Sequence, residues 1–111
     1  MRVKVKLVVF RHPEPAKWGT YCSYCPEIKD FFGRGETVED VVLIEKQRLF
    51  TLLCNRFKYK NLQKLGWTIT ENSVIPPIFT PEEALFLTEE SYNLKLDNYK
   101  ILEIDVEVPF G

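Results

Sequence analysis

The sequence predicts an α+β fold, a single mixed sheet packed on helices in the order β-β-β-α-(α)-β. Three observations carry it. Two segments near opposite ends alternate apolar and charged residues with period two, Val3, Val5, Leu7 and Val9 in one and Leu102, Ile104, Val106 and Val108 in the other, which is the pattern of a strand with one face buried. Apolar residues between Thr37 and Phe57 recur at helical spacing. A second helix start follows at Thr80-Pro81-Glu82-Glu83.

Strand one covers the first alternating segment, with Arg2, Lys4 and Lys6 on its polar side. His12-Pro13-Glu14-Pro15 ends it, because each proline lacks an N–H and restricts the residue before it. The aromatic-rich Trp18 to Tyr24 reads as strand two, hairpinned onto strand one and stopped by Pro26. Residues 30–35 form a short third strand carrying Phe31 and Phe32, closed by Gly33 and Gly35. Thr37 then caps a helix whose first turn places Glu39 and Asp40 at the positive end of the dipole.

Val38, Val41, Val42, Leu49, Leu52 and Leu53 form one stripe of that helix and should face the sheet. Leu43, Phe50, Cys54 and Phe57 form a second stripe about a third of a turn away. One sheet cannot cover both, so the second stripe needs a later helix or another subunit. Asn61 to Leu65 adds a turn stopped by Gly66, and Trp67 to Phe79 reads as extended, since Pro76-Pro77 forbids a helix. The second helix combines a capping threonine, a proline in the first turn and a reciprocal glutamate, and should run to Tyr92. The last strand carries Glu103, Asp105 and Glu107 where strand one carries cations. Opposite charges on neighbouring strands attract, which places it beside strand one at the sheet edge. The intervening helices imply a parallel pairing through a right-handed crossover.

A chain of 111 residues with 45% hydrophobic content closes one core, so residues 1–111 are read as a single domain. Fifteen basic and sixteen acidic residues leave a net charge of −1 and no long-range field toward phosphate or anionic lipid. The sequence lacks an apolar run of about eighteen residues, and its start alternates where a signal peptide would be apolar, so a cytoplasmic protein is expected. Its three cysteines would remain thiols there.

Cys25-Pro26-Glu27-Ile28, then Phe32, then Gly35-Glu36-Thr37-Val38-Glu39-Asp40-Val41 resembles the core motif of the HicB antitoxin family: Cys-Pro-Glu-Leu-Pro-Gly, an aromatic, then Gly-Asp-Thr-Leu-Glu-Glu-Ala. The likeness is ungapped over the roughly seventeen positions of this motif, covers residues 1–55 best and extends loosely to the last strand. Lys29-Asp30 stands where the family has Pro-Gly, Val41 where it has alanine, and residues 56–97 are an unmatched insertion holding the second helix. The resemblance implies a partial ribonuclease-H-like fold and a non-enzymatic, protein-binding role, the antitoxin partner of a small basic HicA-type messenger-RNA-cleaving toxin. Glu27, Asp30, Glu36, Glu39 and Asp40 are then the electrostatic complement of that partner. Family members often carry a DNA-binding module after this domain. None follows residue 111, so operator binding is not expected. The alternative is a solitary HicB-like domain without a toxin, forming a homo-oligomer through its sheet edge or through Leu43, Phe50, Cys54 and Phe57.

Other chemistries find weaker footing. Cys22-Ser23-Tyr24-Cys25 has CxxC spacing, but residues three apart on a strand point to opposite faces, and zinc would need a second ligand pair. No metal and no cofactor is expected. His12 is the sole histidine and sits in a proline-rich loop, so an enzyme using Cys22, Cys25 or His12 requires the fold to unite them. Arg56, Lys58, Lys60 and Lys64 mix with Phe57, Tyr59 and Trp67 as in single-strand binders, yet cations gather at a helix end because of its dipole, and direct nucleic-acid binding is not expected.

Overall fold

The computed structural model of the protein describes residues 2–14, 20–29, 31–54, 59–71 and 73–107. The strands are β1 (Arg2–Arg11), β2 (Tyr21–Tyr24), β3 (Phe32–Gly35), β4 (Thr68–Ile69), β5 (Val74–Ile75) and β6 (Tyr99–Glu107). The helices are α1 (Val38–Cys54), α2 (Tyr59–Lys64) and α3 (Pro81–Tyr92). Four strands form the main sheet in the order β3-β2-β1-β6, and β4 and β5 pair as a separate small hairpin. The predicted α+β class is observed.

β6 lies beside β1 at the sheet edge, as its charges predict. Arg2 stands opposite Glu107, Lys4 opposite Asp105 and Lys6 opposite Glu103. Its direction differs from the expectation. The pairing is antiparallel, as is every other pairing in the sheet, so the sheet is not mixed and β1 and β6 are not joined by a parallel crossover. The reason lies in the route of α3. Lys6 Nζ donates to the carbonyl of Phe79 just before α3 at 2.7 Å, and Tyr92 at its far end packs edge-on against Phe10 with ring centroids 4.8 Å apart. The helix therefore carries the chain along β1 to its C-terminal end. β6 enters there, Tyr99 opposite Phe10, and can only run back.

Helices cover both faces of the sheet. Val3, Val5, Leu7 and Val9 share a core with Val41, Leu49 and Leu53 of α1 and with Ile104 and Val106 of β6. Val38, Val42 and Leu52 pack at its margin, so the inner stripe of α1 faces the sheet as its spacing predicts. Burying each such leucine stabilises the fold by roughly 1.5–3 kcal/mol relative to exposure. Leu62, Trp67 and Val74 extend this core into the segment after α1. The alternate residues Val8 and Phe10 are also buried, because α3 lies over the opposite face with Ala84 and Thr88 turned inward. Its capping box forms as predicted: Thr80 Oγ1 accepts from the Glu83 amide at 3.1 Å and Glu83 Oε1 accepts from the Thr80 amide at 3.0 Å. Asn93 closes the helix in the left-handed region at φ 55°.

Candidate functional site

α3 stops before it has covered the whole sheet. Cys22 on β2 lies directly across from Arg34 on β3 and from Phe10 on β1. His12 continues the face of Phe10, its amide donating to the carbonyl of Thr20 at 3.1 Å. Tyr92, in the last turn of α3, packs edge-on against both Phe10 and Phe32 and donates its hydroxyl to the carbonyl of Ser23 at 2.7 Å. Beyond Tyr92 lies a cavity of about 720 Å³, lined by His12, Pro13, Glu14, Cys22, Phe32, Gly33, Arg34, Ser91, Tyr92 and Leu94. The volume suits a small-molecule ligand.

The cavity unites two of the three residues that the enzyme alternative required. His12 and Cys22 both line it, while Cys25 belongs to the core beneath the other face, with Val3, Val5 and Leu7. None of the three cysteines is in a disulfide. His12 Nδ1 accepts from the amide of Glu14 at 3.0 Å, which places the ring proton of the neutral imidazole on Nε2. Burial pushes the Cys22 thiol up despite the nearby Arg34 guanidinium, and burial likewise pushes the Tyr92 phenol up, with Cys22 and Glu45 adding to it. Both groups are protonated at neutral pH, so the thiolate that a cysteine nucleophile needs is disfavoured here. Among the described residues no three His, Cys, Asp or Glu side chains converge as a metal site would require.

The residues expected to face a partner separate into three situations. Glu36, Glu39 and Asp40 are exposed around the start of α1, with Glu36 Oε2 accepting from Thr20 Oγ1 at 2.9 Å. Glu27 does not belong to that surface. It is 3% exposed, its Oε2 accepts from the amide of Lys6, and its backbone carbonyl accepts from the indole N–H of Trp67 at 2.8 Å. Desolvation pushes its carboxyl up to about 7. Asp30 lies outside the described residues.

The second stripe of α1 remains open. α3 packs on the opposite face of the sheet, so it does not cover Leu43, 58% exposed, or Phe50, 44% exposed. Cys54 is exposed as well, and Phe57 lies outside the described residues. Ile44, 41% exposed, widens the stripe beyond the sequence prediction. Of the basic and aromatic cluster considered for nucleic acid, Arg56, Phe57 and Lys58 lie outside the described residues. Its Trp67 is buried and hydrogen-bonded, unavailable for stacking on a base.

Two charged residues that the sequence reading passed over hold the other end of the sheet. Glu45 is wholly buried on α1 and pairs with Arg48 at 2.8 Å; burial nevertheless pushes its carboxyl up. The same Arg48 nitrogen donates to the carbonyl of Phe32 at 2.5 Å, and its guanidinium lies 4.4 Å from the centroid of the Phe31 ring. A signal existed for Glu45, since positions 41, 45, 49 and 53 form the inward face of α1 and only this one is charged.

No protein-family model, no curated protein and no solved structure matches the chain.

Proposed function

We propose that the chain is a HicB-like protein-binding module that associates with a second copy of itself through the outer face of α1. The carrying observation is the exposure of Leu43, Ile44 and Phe50 on a helix whose inner face is already filled by the sheet. Antiparallel pairing of two α1 helices centred between Lys46 and Gln47 sets Leu43 of one copy against Phe50 of the other, a self-complementary arrangement of the kind two-fold dimers use. The motif from Cys25 to Val41 supports the HicB-like part of this reading.

The test is the mass of the chain in solution by sedimentation equilibrium. The native chain should give a dimer, and Leu43→Glu with Phe50→Glu should give a monomer with an unchanged far-ultraviolet circular dichroism spectrum. A monomeric native chain, or a double variant that remains dimeric, would overturn the proposal.

The exposed group Glu36, Glu39 and Asp40 favours a second reading, in which the module neutralises a small basic toxin. Co-purification with the product of a neighbouring short basic reading frame, lost on Glu39→Lys with Asp40→Lys, is its expected outcome. Retention after charge reversal would count against that surface.

A further inference from the structure

The two edges of the sheet are treated differently. β3 is four residues long, and the outward carbonyl of Phe32 is occupied by Arg48, which Glu45 holds in place. β6 is nine residues long, and among the described residues no strand lies beyond it. β6 contains no proline and has one lysine, Lys100 near its start; its remaining charges, Glu103, Asp105 and Glu107, discourage pairing with any strand that cannot match them.

Glu103, Asp105 and Glu107 share one face of β6, each matched on the inner side by a cation of β1. A strand added outside β6 would bring its side chains about 4.5–5.5 Å from the same carboxylates. Leu102, Ile104 and Val106 lie on the other face, toward the α1 core. A second copy of β6 is a poor occupant, because full-length antiparallel self-pairing sets Glu103 against Glu103.

We infer that the outer edge of β6 is a docking site for an extended segment of another protein, one that alternates Lys or Arg with apolar residues. Main-chain hydrogen bonds supply affinity that any strand could share, and the carboxylate row selects the cationic pattern. β1 has that pattern, Arg2-Val3-Lys4-Val5-Lys6, and satisfies the inner side of the same row. This inference is independent of α1, since β6 and the outer stripe of α1 are separate surfaces.

A capped, fluorescein-labelled peptide copying Arg2 to Val8 tests it by fluorescence anisotropy with the full chain. Saturable binding that weakens as salt rises is expected, together with weaker binding of a peptide in which the three cations are grouped at one end. Glu103→Gln with Asp105→Asn should weaken the complex by about threefold to tenfold, the loss of two cross-strand charge pairs. Amide resonances of the unmodified chain provide a readout that does not depend on how the variant folds. Peptide should shift residues 99–107 and leave the β1 amides protected from exchange. Equal binding of the grouped peptide, shifts confined to α1, loss of β1 protection, or no saturable binding would each overturn the inference.

Discussion

The indole of Trp67 donates to the backbone carbonyl of Glu27 at 2.8 Å, so one residue of the motif beside β2 anchors the segment that follows α2. The side chain of the same glutamate bonds the amide of Lys6, at a point where β1 has run past the end of β2. Glu27 thus joins three parts of the chain while its carboxyl lies out of water, with Oε1 left without a hydrogen-bond partner.

This burial makes stability depend on pH. With a carboxyl that titrates near 7 in the folded protein and at an ordinary value near 4.5 when unfolded, the folded state binds the proton more tightly. Its contribution is most favourable below the unfolded value and is lost as pH rises from about 4.5 to 7. Urea unfolding of the native chain should show stability falling across that window by on the order of 2 kcal/mol. Glu27→Gln should flatten this part of the profile. An equally steep fall in the variant would assign the slope to other groups.

Gly33 makes possible the close approach of β3 to α1. A Cβ built there would overlap Ser23 Oγ and stand 2.5 Å from Glu45 Oε1. Glu45 is held by Arg48 and has no solvent into which to swing. Gly33→Ala should therefore destabilise the fold by about 2 kcal/mol through overpacking, measured as a lower urea midpoint. The penalty should shrink in a Ser23→Ala background, since removing the hydroxyl clears one of the two overlaps. A Gly33→Ala variant as stable as the native chain would show that Glu45 can rearrange at no cost.

The three thiols should differ in reactivity. Cys54 is exposed, whereas burial pushes Cys22 up and Cys25 well up, the latter with Glu27 adding to it. Ellman's reagent on the native protein at neutral pH should modify one thiol quickly and two slowly, and all three quickly in guanidinium chloride. Cys54→Ser should abolish the fast phase. Fast modification of Cys22 would show that the cavity favours the thiolate.

The strands and helix faces were legible where a local period controls burial. Val3 to Val9 and Leu102 to Val106 reveal their inward faces by alternation, and Val41, Leu49 and Leu53 do so by helical spacing. The charge pattern even identified the neighbour of β6. Its direction was not legible, because direction depends on which side of the sheet α3 crosses, a choice made by packing on Val8 and Phe10. Glu27 reads as a surface acid because local sequence carries no trace of the distant Lys6 amide and Trp67 that enclose it. The cavity escaped notice for a related reason. His12, Cys22, Arg34 and Tyr92 come from four elements and meet only where α3 ends.

The position of β1 between β2 and β6 also governs the order in which the sheet can be completed during synthesis. The β2–β3 hairpin needs only nearby residues, but the nine-pair ladder of β1 begins with Arg2 against Glu107. β1 must therefore wait for a strand that lies about a hundred residues further along the chain. Until then the apolar row of β1 lacks its longest partner, and closing the gap requires a large loop before most of the reward is gained. Such a topology folds late and cooperatively rather than growing strand by strand, and the nascent chain passes through a stage in which β1 is a vacant edge open to mispairing.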